Sequence, residues 1–192
     1  MNALLETWST PFDLPPFDQI TDDQFRPAFD AALADAKAAI VAIADNPEAP
    51  TFANTVEALE LAGADLNRVL GVFYNLAGAD STPERDVLQR EFSPELSDHY
   101  ADITMNKALF ERVETLWETR ETLGLSAEQE RLLMLTRRGF IRSGAQLEGE
   151  QAQRLKAIKS RLASLGTQFT QNLLADERAW FMPLAEADLE GL

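Results

Sequence analysis

Apolar residues recur at steps of three and four along most of this chain, the spacing of a helix that buries one face. The first run is Phe25, Phe29, Leu33, Ala36, Ile40 and Ile43, which predicts a helix ending near Asp45, ahead of Pro47. Thr21 followed by Gln24 has the form of a capping box, and Pro27 is tolerable if it falls in the first turns. A second run follows PTFANTVEALELAG at 50–63: Val56, Leu59, Gly63, Leu66, Leu70, Phe73 and Ala77 alternate strictly and predict the most regular packed helix of the first half. Thr51 and Asn54 can each cap it, and Asn54 is preferred because Glu57 stands three residues on.

The pattern continues with breaks where helix-ending residues stand. Thr82 and Pro83 open a helix whose face is Leu88, Phe92, Leu96 and Ile103, with a kink or break expected from Pro94. Leu109, Val113, Leu116 and Trp117 mark the next, over about Lys107 to Leu123 and closed by Gly124. Ser126 with Gln129 is a second capping box, opening a helix that stops at Gly144. The last runs from about Gly149 to Arg178, with Leu155, Ile158, Leu162, Leu165 and Phe169 in heptad register; at 1.5 Å per residue it is a rod of about 45 Å that needs partners along its length. No alternating strand pattern appears before Ala179, where TrpPheMetProLeu could form a short extended piece. The reading is therefore all-α, a multi-helix antiparallel bundle-like domain. Before it, Pro11, Pro15 and Pro16 interleave with Phe12, Leu14 and Phe17 and predict an extended arm whose apolar residues lie against the helices.

Composition narrows the function more than the fold. At 192 residues, 45% hydrophobic and 26% charged, the chain is ordinary for one soluble domain or an elongated helical unit. Acids outnumber bases 32 to 17, and the first 80 residues hold 13 acids against 3 bases. Such a charge disfavours nucleic acid and anionic membrane as partners. The chain has no cysteine, so a disulfide framework and a thiolate metal site are excluded, in keeping with a reducing cytoplasm. The N-terminus lacks a basic start and the apolar run of about 7 to 15 residues that a signal peptide carries.

Candidate chemistry is sparse. His99, the one histidine, stands near Asp98 and Asp102 and reads as a surface side chain among helix carboxylates; a zinc site generally needs three protein ligands, and no His-Glu-x-x-His occurs. No Gly-x-Ser-x-Gly or phosphate-cradling loop is present. Adjacent acids such as Asp22 with Asp23 and Asp176 with Glu177 point to different helix azimuths and read as helix-end or solvated charge. Arg131, Arg137, Arg138 and Arg142 form the one basic cluster, able to hold a peptide carboxylate but expected to pair with neighbouring acids. Phe73, Tyr74 and Asn75 could line a cleft, although Phe73 falls on the apolar seam. These residues supply no catalytic, cofactor-binding or metal-binding set.

The wording of certain segments carries a resemblance. PFDQI at 16–20, RPAFD at 26–30, PTFANTVEALE at 50–60, LFERVETLW at 109–117 and RGFIRSGAQL at 138–147 together resemble the N-terminal region of the thimet-oligopeptidase family of zinc metallopeptidases, in order and over nearly the whole chain. NKALFERVETLWETRETLGL at 106–125 favours the peptidyl-dipeptidase branch, with the oligopeptidase A branch as the alternative. The resemblance implies a cytoplasmic enzyme that removes dipeptides from the C-termini of oligopeptides, with zinc held by a His-Glu-x-x-His helix and a downstream Glu. The end of this chain, ADLEGL at 187–192, resembles a segment upstream of that helix, so no family ligand or base can be placed on any residue here. The expectation is a helical N-terminal domain over 1–192, with an arm at 1–20, helices at 21–178 and the start of the following segment at 179–192. Its implied partners are the missing catalytic part of the same chain and short peptides, whose channel it would wall. Alone it is expected to be inactive, and apolar faces that met the missing part should be exposed. The competing reading is a stand-alone helical module that binds peptides or a protein without catalysis.

Overall fold

The computed structural model describes residues 2–184, and the closing segment 187–192 lies outside them. Every regular element among the described residues is helical: α1 (Phe25–Ala44), α2 (Ala58–Ala62), α3 (Ala64–Ala79), α4 (Pro83–Thr104), α5 (Lys107–Thr119), α6 (Ala127–Ser143) and α7 (Gly149–Ala179), with short 3₁₀ turns and one π-turn between them. By contact the chain divides into two compact units, Met1–Ala145 and Gln146–Leu192.

In the first unit α1 packs chiefly against α3, and α5 against α6. Two apolar clusters result. One joins Phe25, Phe29 and Leu33 of α1 to Leu66, Val69 and Phe73 of α3 and Phe92 of α4. The other joins Ile40 and Ile43 at the far end of α1 to Val56, Leu109, Val113, Leu116, Leu133 and Phe140. α1 thus runs through both, which is why its apolar stripe is the longest continuous one in the unit.

Local chemistry sets the ends. Thr21 N–H donates to Gln24 Oε1 at 3.4 Å in the first capping box, and Pro27 is the third residue of α1. Thr82 Oγ1 accepts from Arg85 N–H at 3.2 Å, and Ser126 and Gln129 bond reciprocally at 3.0 and 3.2 Å. Gly144 takes the left-handed conformation, φ 99°, that closes α6, with Gly144 N–H on the Ile141 carbonyl and Ala145 N–H on that of Phe140.

Three expectations change. The regular helix foreseen after Pro50 is a π-turn at Ala53–Glu57, then α2, then α3 beyond a bend at Gly63. The break has a packing reason: Val56 serves the second cluster and Leu66 to Phe73 the first, and a straight rod would aim one stripe at one core. Its cap is Thr51, whose Oγ1 accepts from Asn54 N–H at 3.0 Å, while Asn54 Oδ1 accepts from Thr51 N–H at 2.8 Å. Asn54 is therefore the third-residue partner of the box. Lastly, α4 passes unbroken through Pro94, whose missing N–H removes the bond to the Arg90 carbonyl; one residue earlier Ser93 Oγ donates to the Gln89 carbonyl at 2.8 Å.

The arm also differs from a simple extended strand. It makes 3₁₀ turns at Pro11–Asp13 and Phe17–Gln19. Phe12 has a positive φ of 61°, strained for an aromatic residue, and stands 94% exposed, while Leu14 and Phe17 are about half exposed.

In the second unit α7 is a single helix of 31 residues. Its heptad positions Ile158, Leu162, Leu165 and Phe169 are exposed. No helix among the described residues is long and apolar enough to cross a membrane.

Candidate functional site

His99 is the first correction. It is 3% exposed, because Phe92, Leu96, His99 and Ile103 succeed one another at steps of four, three and four and His99 occupies one turn of α4's apolar stripe. Its ring makes no hydrogen bond among the described residues. It borders a cavity of about 200 Å³ with Ala36 and Ile40 of α1, Glu60 of α2 and Leu66 of α3, where the two clusters meet. Burial, then the positive charge of Lys37, push its pKa below 6.5, against the smaller opposing pull of Asp102.

A pH prediction follows from the sign of that shift. The unfolded chain takes up the proton first, so stability is full above about pH 6.5 and falls as pH drops from there toward the folded-state pKa. Urea midpoints between about pH 7.5 and 5.5 should decline in the parent and decline less in His99→Gln. Equal slopes would assign the pH dependence to other groups.

The basic cluster on α6 separates. Arg137 donates from Nε and Nη2 to Glu114 at 2.8 Å each, and its guanidinium lies 5.0 Å from the Trp117 ring centroid, with Arg120 also on that ring at 4.3 Å. Arg131, Arg138 and Arg142 are exposed and make no ion pair among the described residues, so pairing with neighbouring acids holds for Arg137 alone. Asp22 is structural: it accepts from Arg85 Nε at 2.8 Å and Thr82 Oγ1 at 3.3 Å, tying the start of α1 to α4. Asp176 and Glu177 are exposed.

Two arginines that sequence reasoning passed over matter more. Arg112, 8% exposed, donates from Nη1 to the carbonyls of Asn46 and Glu48 at 2.9 and 3.1 Å and from Nη2 to Asn54 Oδ1 at 2.9 Å. It clasps α5 to the loop after α1 and to the cap of the π-turn. Its signal was spacing: with Leu109, Val113 and Leu116 it falls on the buried face of α5. Arg68 on α3 lies over the Trp8 ring, 5.5 Å from its centroid, and its Nη2 is ion-paired with Asp65 at 3.2 Å, while its Nε is buried without an acceptor.

Arg68 stands in an open groove of about 480 Å³ between the arm, through Trp8, Leu14 and Phe17, and the face of α3 that carries Asn67, Gly71 and Asn75. Of the three residues proposed from sequence to line a cleft, Asn75 does so and Phe73 is wholly buried. Among the described residues no three His, Asp or Glu side chains gather as a metal site would need, and His99 sits in an apolar seam near Lys37. Among the described residues the donor set does not fit a zinc centre.

No family model matches the chain. It is 40% identical over 186 residues to the dipeptidyl carboxypeptidase of Salmonella typhimurium and 40% identical over 179 residues to that of Escherichia coli, covering 97% and 93% of this chain. It is 28% identical over 184 residues, 95% of the chain, to the oligopeptidase A of Salmonella typhimurium. The chain spans about a quarter of the length of these curated relatives, 26 to 27% in each case.

Proposed function

This chain corresponds over nearly its whole length to the N-terminal region of thimet-oligopeptidase-family peptidases, and from that premise we propose that it is the helical wall of a peptidase's substrate channel. The parent enzyme is a zinc metallopeptidase of the peptidyl-dipeptidase type, releasing dipeptides from the C-termini of short peptides in the cytoplasm. This part selects by size and contains the substrate; the zinc ligands and the general base belong to the continuing polypeptide. The chain itself contributes no catalytic group.

One observation carries the reading: 93 to 97% of this chain aligns with only 26 to 27% of each relative, and the segments on which the resemblance rests are spent on packing. In PTFANTVEALE, Thr51 and Asn54 cap, Val56 is core and Asn54 meets Arg112; in LFERVETLW, Arg112, Val113 and Leu116 are buried and Glu114 binds Arg137.

Production of this chain with and without the downstream remainder of its gene product tests the reading. Release of dipeptides from an N-blocked tetrapeptide is expected only when both parts are present, and to be lost to a chelator. Dipeptide release by the isolated chain would overturn it.

A further inference from the structure

We propose that the groove between the arm and α3 binds an extended peptide by its carboxylate, with Arg68 as the anchor. This deepens the channel-wall reading by giving the wall a peptide-holding site of its own, built from groups that chain packing leaves unspent.

The anchor is an arginine with half its binding edge vacant. Arg26 gives the edge formed by Nε and Nη2 to both oxygens of Asp30, and Arg137 gives the same edge to both oxygens of Glu114. Arg68 makes only an ion pair, Nη2 to one oxygen of Asp65 at 3.2 Å, and its Nε–H is out of water with no acceptor. Asp65 is itself 61% exposed, one turn away on the same helix, so it is a weakly held occupant that a better-aligned carboxylate can displace. The Trp8 ring that carries the guanidinium is fixed by its own indole N–H, which donates to the Ala3 carbonyl at 2.8 Å.

The rest of the groove matches a peptide backbone. Asn67 and Asn75 expose side-chain amides that make no hydrogen bond among the described residues, and each offers both a donor and an acceptor. Eight residues apart on α3, they are about 12 Å distant at 1.5 Å per residue. An extended chain covers that span in about four residues at 3.3 Å each. Gly71 lies between them, and a Cβ added there would meet nothing within 4 Å, so the floor is open. Leu14, Pro15 and Phe17 form an apolar wall opposite. Of the three cations in the first 80 residues, Arg26 is held by Asp30 and Glu95 and Lys37 does not line the groove, so Arg68 is the cation the groove offers, and it has to outweigh the repulsion that the surrounding acids exert on a carboxylate.

The carboxylate can be a peptide's C-terminus or an Asp or Glu side chain. Three probes separate these: acetyl-Ala-Leu-Ala-Phe as the free acid, its C-terminal amide, and acetyl-Ala-Leu-Glu-Phe amide. Each is titrated into the ¹⁵N-labelled 192-residue chain while the Trp8 indole N–H resonance is followed. At least one carboxylate peptide is expected to shift that resonance saturably, about tenfold more tightly than the uncharged amide, as a charge-assisted bond at a partly exposed site gives. Asp65→Asn should tighten binding by removing the competitor, and Gly71→Leu should abolish it by filling the floor, both without touching the core. Equal response to all three probes, no response up to about 10 mM, or unchanged affinity in Asp65→Asn would overturn the proposal. These titrations need no remainder of the enzyme, so their failure leaves the complementation result standing.

Discussion

Arg112→Ala is expected to lower the unfolding free energy by about 3 kcal/mol, a large fraction of what a domain of this size possesses. The side chain holds three acceptors, the carbonyls of Asn46 and Glu48 and the Oδ1 of Asn54. Truncation strands acceptors that a partner has been desolvating and leaves a void beside Leu109 and Val113, and both effects add. Arg112→Met keeps most of the volume and deletes the donors together with the unpaired Nε, so it should cost less than alanine, about 2 kcal/mol. Asn54→Ala removes the bond to Thr51 N–H and the one to Arg112 at once, so the double variant should cost less than the sum of the singles. Urea titration of the four proteins measures this. A loss below about 1 kcal/mol for Arg112→Ala would mean the clasp is incidental.

The same residue shows how far the sequence could be read. Helix positions and most caps follow from apolar spacing and from pairs such as Ser126 with Gln129, because those signals act within one or two turns. Arg112 was passed over and His99 read as a surface side chain, although both stand on apolar stripes: each fills a step that the aliphatic residues around it leave open. A polar residue at such a step has its fate decided by what faces it, which for Arg112 is a loop some sixty residues earlier in the chain. The π-turn and the bend at Gly63 were hidden for a related reason. Strict alternation from Val56 to Phe73 is blind to whether one core or two receives it, and here there are two. The groove was illegible because Trp8 and Arg68 meet across 60 residues and the arm has no period of its own. Family resemblance located the chain among peptidases without assigning a role to either arginine.

Phe29→Ala should be costlier still, about 4 kcal/mol, and its effect should fall unevenly over the molecule. Phe29 is wholly buried and stacks on Phe92 with ring centroids 4.0 Å apart; Phe92 in turn meets Phe73 edge-on at 5.0 Å, and Phe73 meets Phe25 at 5.2 Å. Four rings therefore join α1, α3 and α4. Arg26, gripped by Asp30 and Glu95, lies over both stacked rings at 5.4 and 5.5 Å and adds a cation–π contribution that the truncation forfeits. Phe29→Leu retains the apolar contact and loses the stacking, so it should cost well under half as much. Trp8 packs on this cluster and Trp117 on the other, which gives each core its own reporter. In Phe29→Ala the Trp8 indole signal should collapse at lower urea than that of Trp117, because the two cores are separate clusters that share α1 and α4, with the small cavity beside His99 between them. Coincident loss of both signals would show that α1 couples the clusters into one cooperative unit, and the uneven effect would be wrong.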